Sequence, residues 1–438
     1  MRENSKKSIS AALATATCAL LGNAITQPVQ AQEEPAWDFN TSFLYYGEDG
    51  DRVQDLSVSV LARRTFYDDR FLTMGLTVDS LTGATPNGGI HQNVAQTFTS
   101  ASGNNVYTAP ANTLPLDDEF LDTRVAVTGS WQQPLGRLSQ ISVGLSASKE
   151  YDYLHLGMNA KLSRDFNQRN TTVSAGLAFS ADSIDAVGGA PVSLTSMGDV
   201  GDLSNRMGEQ DKDVIDVVLG VTQVITRNLL VQMNYSFSDS SGYLNDPYKI
   251  VSLVDAVTGD VVPRTPAPGL DGPSHQFVFE GRPGERTKHS LYTQAKYYMG
   301  GKVLDASYRY MTDDWDIDSH TLDVRYRWPM GDSRYLEPHL RFYTQTDASF
   351  YQVGIVDGAP LPTFASNDYR LGNFDAITVG LKYGWTTKND NEMSARLEFY
   401  QQSGSIPAEK LFGNQLGMVQ YPDLDAVIFQ FSYRFGSQ

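Results

Sequence analysis

Residues 427–435 read VIFQFSYRF, in which Val427, Phe429, Phe431, Tyr433 and Phe435 are apolar or aromatic and Gln430, Ser432 and Arg434 between them are polar. Strict period two predicts a β-strand with one greasy and one wet face, because successive side chains leave a strand on opposite sides. The rhythm recurs from Trp37 onward in about sixteen segments of the length a strand needs to cross a bilayer. The clearest are 71–80, 141–151, 153–163, 172–181, 214–225 and 229–238, then 290–299, 320–328, 339–346 and 377–385. In the first of these, Leu72, Met74, Leu76 and Val78 form the apolar set. A sandwich strand carries the same alternation, so the connections must decide the fold.

Tight turns fall at 134–137, 167–169, 226–228, 300–301 and 330–332, all rich in turn-forming residues. They alternate with mostly longer links at 81–119, 182–211, 240–287, 348–373 and 403–423. With the N-terminus in the periplasm, the tight turns sort to one side and the long links to the other. Outer-membrane barrels have short periplasmic turns and long extracellular loops, and their aromatics settle at the membrane–water interface. A sandwich has no reason to sort them. The pattern therefore predicts an all-β chain: a single antiparallel transmembrane β-barrel of about sixteen strands, closed by the aromatic strand at 427–435.

Composition sharpens this picture at the N-terminus. Arg2, Lys6 and Lys7 precede an alanine-rich apolar stretch from Ile9 to Ile25, and Val29-Gln30-Ala31 offers small residues at a cleavage site. Residues 1–31 thus read as a cleaved signal peptide and 32–438 as the barrel, in the outer membrane of a Gram-negative bacterium. Cys18, the single cysteine, lies in the leader, so the mature chain has no disulfide, thiolate metal site or cysteine nucleophile. The chain carries −17; removing a leader of net +2 leaves about −19, which argues against nucleic acid as a partner. Outer-membrane lipid is the partner that the strand pattern itself requires.

Several stretches resemble a known family. LTGATPNG (81–88), KEYDY (149–153), RDFNQRNTT (164–172), SYRYMTDDWDIDSHTLDVRYRW (307–328), YLEPHLRFY (335–343) and LDAVIFQFSYRF (424–435) are similar to the outer-membrane proteins catalogued as domain of unknown function family 3570. The resemblance spans nearly the whole mature chain and implies a barrel without assigned catalytic residues. It also implies a small periplasmic lipoprotein or a redox partner, since such proteins are often encoded beside a lipoprotein and a flavin-transferring enzyme. One departure is that Phe435 is followed by Gly436-Ser437-Gln438, which displaces the terminal aromatic that assembly usually reads.

With the apolar face toward lipid, the opposite face of the C-terminal half lines the lumen. It carries Arg309, Arg325, Arg327, Arg341, Lys382 and Arg396, interspersed with Asp305, Asp323, Glu337 and Glu398. Rings of charge set ion selectivity in pores; the plainer expectation is that these groups pair across strands and keep the wall hydrated. A sixteen-strand barrel is too wide for side chains to fill, so a channel is expected unless the loops at 81–119 and 255–284 fold inward. These features predict a porin-like channel or conduit serving a periplasmic partner, with a non-conducting docking or display barrel as the alternative. Asp314, Asp316 and Asp318 at a hairpin tip offer oxygen ligands for Ca²⁺, although the loop lacks the glycine and distal glutamate of an EF-hand. No other cofactor is expected. Catalysis is not expected either: Ser319 and His320 are the nearest approach to a hydrolase pair, and adjacent strand residues point apart.

Overall fold

The computed structural model describes residues 36–436 apart from Asp51 and Asp118, so the signal-peptide reading lies outside the described residues. Sixteen antiparallel strands close into one barrel. They are β1 (Trp37–Glu48), β2 (Gln54–Phe66), β3 (Arg70–Gly83), β4 (Phe120–Pro134), β5 (Ser139–Lys149) and β6 (Tyr153–Phe166). Next come β7 (Thr171–Ile184), β8 (Gln210–Thr226), β9 (Leu229–Gly242), β10 (Glu285–Met299) and β11 (Lys302–Asp313). The wall is completed by β12 (Asp318–Pro329), β13 (Arg334–Gln345), β14 (Phe374–Thr386), β15 (Glu392–Gly404) and β16 (Leu424–Gly436).

The terminal strand closes the ring on β1, with Phe435 opposite Phe39 and Phe431 opposite Phe43. Phe39 and Phe435 stack at 5.1 Å, and Trp37 and Tyr433 extend the aromatic run. That aromatic cluster lies at the short-turn end, where interfacial aromatics anchor a barrel. The lipid-facing set is solvent-exposed as the period-two reading requires, with Leu145 67%, Met158 57% and Leu177 59% exposed. This apolar exterior with a polar interior makes the protein an outer-membrane barrel.

Most strands run past the predicted segments toward the long-loop end, as β8 and β10 do, whereas β5 and β13 stop slightly short of them. Connections of three to five residues also occur there, at 49–53, 150–152 and 314–317, so the sorting of turn lengths is less complete than the sequence suggests. The longer loops are folded. Ile250–Val254 pairs antiparallel with Phe277–Phe279 and parallel with Gly354–Val356. Around this small sheet Ile90, Phe98, Met197, Val254 and Val353 form an apolar core drawn from four loops. Phe98 packs on Phe277 with ring centroids 4.6 Å apart. The loops at 84–119 and 243–284 pack on one another, Ile250 N donating to Asn87 O at 2.9 Å, and meet the loop end of the wall where Tyr248 donates to Asp152; this assembly is the plug.

Candidate functional site

The strand register determines which side chains share the interior. Arg309 faces Thr321, Asp323 faces Arg341, Arg341 faces Thr378, and Lys382 faces both Glu337 and Arg396. All ten predicted lumen charges therefore lie on one face of β11–β15, opposite the lipid-facing set. They divide into two kinds. Asp323 and Glu398 are bridged by His339, whose Nε2 lies 2.9 Å from Asp323 and Nδ1 2.7 Å from Glu398. The bridge spans β14 because Gly380 leaves a gap there; a Cβ on Gly380 would come within 2.6 Å of Glu398 Cγ. Arg325 pairs with Asp323 at 3.3 Å, Arg396 with Glu398 at 3.7 Å, and Lys296 with Asp305 at 3.4 Å. Arg327 lies over the Tyr335 ring at 3.5 Å and 3.7 Å from Glu392.

Arg309 and Arg341 are different. Both are exposed, and neither makes an ion pair among the described residues. Arg309 rests over Tyr292 at 5.7 Å. Elsewhere on the lumen face at mid-depth, β1–β4 present the uncharged Asn40, Ser42, Ser57, Ser59, Thr77 and Thr128. The pairing expectation thus describes part of the charged wall: Arg309 and Arg341 remain outside it, and Glu337 and Lys382 face each other across the register without an ion pair among the described residues.

Above this wall, a cavity of about 160 Å³ separates the plug from β6–β10. His155, Asp182, Lys212 and Lys288 line it from the wall, and Arg282 and Arg370 from the loops. Here sequence reasoning missed a constellation. His155 Nδ1 lies 2.7 Å from Asp182 Oδ1, and its Nε2 lies 3.1 Å from Ser146 Oγ. Gly157, directly opposite Ser146, makes the approach possible, because a Cβ there would lie 2.5 Å from the Ser146 oxygen. Tyr153 donates to Asp182 Oδ2 at 2.6 Å, and Lys212 Nζ sits 2.8 Å from the same oxygen.

The plug is latched by buried ion pairs. Arg282 bridges Glu280 and Asp368, both at 2.7 Å, and Arg370 bridges Asp368 and Asp246, both at 2.5 Å. Burial works to raise Asp246 and Asp368, but Arg370 above all overrides it and holds both below the usual carboxylate range. Glu280, by contrast, is raised by burial.

The hairpin aspartates do not converge. Asp314 accepts from Thr287 N at 3.0 Å, Asp318 accepts from Tyr310 OH at 2.8 Å, and Asp316 is exposed. Among the described residues the one convergent group of three is Asp122, Glu150 and Asp152, whose oxygens lie within 4.8 Å of one another. Burial first, then the Asp122 charge, pushes Glu150 up to about 8. Glu150 and Asp152 belong to the KEYDY stretch, but that their carboxylates meet Asp122 depends on the pairing of β4 with β5, which no local pattern encodes.

The sequence pattern of the family described as "Protein of unknown function (DUF3570)" matches residues 10–435. None of the curated proteins is significantly similar to the chain. Among solved structures, the chain is similar to one titled "Bacterial polysaccharide outer membrane secretin", at 10% identity and TM-score 0.42, over 93% of this chain and 100% of that one. It is also similar to the outer-membrane expressed OmpT of Vibrio cholerae, at 10% identity and TM-score 0.39, over 94% and 100% of the two chains. A third is the CymD monoaromatic hydrocarbon channel, at 9% identity and TM-score 0.39, over 92% and 89%.

Proposed function

The chain belongs to the DUF3570 family of proteins of unknown function, and on that premise we propose that it is a porin-like channel favouring anionic solutes, with the loop plug controlling entry. The observation that carries this reading is the pair of exposed guanidinium groups on the lumen wall, Arg309 and Arg341, that make no ion pair among the described residues. Unpaired charge on a pore wall lowers the barrier for one sign of ion and raises it for the other. The excess is the more notable in a chain whose overall charge is −17.

The test is single-channel recording in a planar bilayer under a salt gradient. Wild type should give discrete steps with a reversal potential on the anion side, and the double variant Arg309→Glu/Arg341→Glu should move it toward cations. An unchanged reversal potential in conducting channels removes the selectivity reading.

A non-conducting barrel that docks a small periplasmic lipoprotein or redox partner is the second reading, favoured by the loops having an apolar core of their own. Silent bilayers with correctly folded protein support it. The Ser146–His155–Asp182 line is the feature that most favours a hydrolase. Two features weigh against it: Lys212 already offsets the Asp182 charge, and the backbone around Ser146 is engaged in ladders with β4 and β6 rather than arranged as an oxyanion hole. We therefore read it as a wall network.

A further inference from the structure

The carboxylates of Asp122, Glu150 and Asp152 come together where the start of β4 meets the 150–152 turn between β5 and β6. The three residues are 6%, 6% and 1% exposed. Anionic groups taken from water this completely need compensating charge or hydrogen bonds, or they cost several kcal/mol each. Asp122 accepts from Thr123 N at 2.8 Å, and Asp152 accepts from the Tyr248 hydroxyl. The Glu150 carboxylate takes part in no hydrogen bond and no ion pair among the described residues, although it is aimed at the other two, and the Arg124 charge offsets only part of their crowding. The nearby cation, Arg124, directs its Nε to both oxygens of Asp79 at 3.1 Å.

We propose that Asp122, Glu150 and Asp152 form a binding site for a hard divalent cation of the calcium class. The spacing suits that ion. Ca²⁺ binds oxygens at about 2.3–2.6 Å, so ligands around one ion lie up to about 5 Å apart, whereas the shorter bonds of Mg²⁺ demand a tighter set. Oxygens that all lie within 4.8 Å of one another can share one such ion. Carbonyl oxygens or water would complete the shell, as is usual for calcium. The site also has a structural consequence. Asp152 holds Tyr248, Tyr248 N donates to Asp246 Oδ1 at 3.0 Å, and Asp246 holds Arg370 of the plug latch. A cation at the turn thereby fixes the wall end of the chain of contacts that anchors the 243–284 loop.

The test uses the full chain folded in detergent, freed of metal with chelator, and titrated with CaCl₂ while thermal unfolding is followed. Wild type should melt higher with Ca²⁺ in a saturable way. Glu150→Gln should melt no lower than wild type without metal, because it breaks no hydrogen bond or ion pair of the carboxylate among the described residues, and should bind Ca²⁺ at least tenfold more weakly. Asp152→Asn should also lose the response, with a heat-modifiable gel shift showing that it folds. The triple variant Asp314→Asn/Asp316→Asn/Asp318→Asn should keep it. A wild type unmoved by Ca²⁺, a response intact in Glu150→Gln, or one lost in the triple variant would each overturn the proposal.

Discussion

The barrel wall and the loop plug are two solutions to burial made from one chain. In the wall the apolar residues point outward, so Leu145, Met158 and Leu177 are more than half exposed and lipid replaces a core. In the plug they point inward, and Ile90, Phe98, Val254 and Val353 are sealed from solvent as in a small water-soluble domain. Charge follows the same inversion. Arg341 stands in the lumen without an ion pair among the described residues, while Arg282 is buried between Glu280 and Asp368. The wall keeps its form through continuous hydrogen-bonded ladders, which are indifferent to most single side chains. The plug depends on packing and on charge compensation, and it is the part that a point mutation can release.

The largest effects should therefore be confined to the plug. Phe98→Ala removes a ring that packs on Phe277 and Tyr107, and at ordinary core values should cost the plug about 3–5 kcal/mol. Arg282→Ala leaves Glu280 buried without its guanidinium partner, a loss of similar size, about 3–5 kcal/mol. Both variants should become sensitive to protease within 243–284 and conduct in larger steps, with the heat-modifiable shift of the barrel unchanged. If the barrel unfolds together with the plug, the two regions are one cooperative unit and the distinction fails.

The same inversion explains what could be read in advance. Period two marks a strand whose two faces meet different solvents, so the segments around Leu72–Val78 and Val427–Phe435 were legible one at a time. The lumen charges were legible too, because the polar set of each strand must share a side. The plug core was not. Phe98, Met197, Val254 and Val353 are far apart in sequence and sit in short stretches without a period to detect. The Ser146–His155–Asp182 line and the Asp122–Glu150–Asp152 group were hidden for a related reason: each joins neighbouring strands and depends on their register. The hairpin aspartates failed in the opposite way, since closeness in sequence did not bring their carboxylates to one point.

Acid should separate the two regions with a smaller effect. Asp246 and Asp368 are held below the usual carboxylate range, so their contribution is full above the unfolded value, about 3.9, and is lost as pH falls through the lower folded value. Glu280 is raised, so its protonation favours the folded plug and does not release it. Conductance should stay flat from pH 7 to pH 5 and rise only below about pH 4. In Asp368→Asn the acid step should shrink. A step near pH 6 would point to histidine in the wall and would break the assignment to the latch.

The smallest stability effect should come from the wall, and it completes the comparison. Arg341→Ala deletes a guanidinium of the same kind as Arg282, but one that is exposed and makes no ion pair among the described residues. It leaves no buried anion behind, so unfolding should shift by less than about 1 kcal/mol. Its signature should appear instead in the reversal potential, displaced toward cations at low salt and recovering toward wild type as salt screens the remaining charge. A variant that destabilises the protein as much as Arg282→Ala would mean that Arg341 holds structure rather than facing the solute, and the charged wall would then be scaffold on both of its sides.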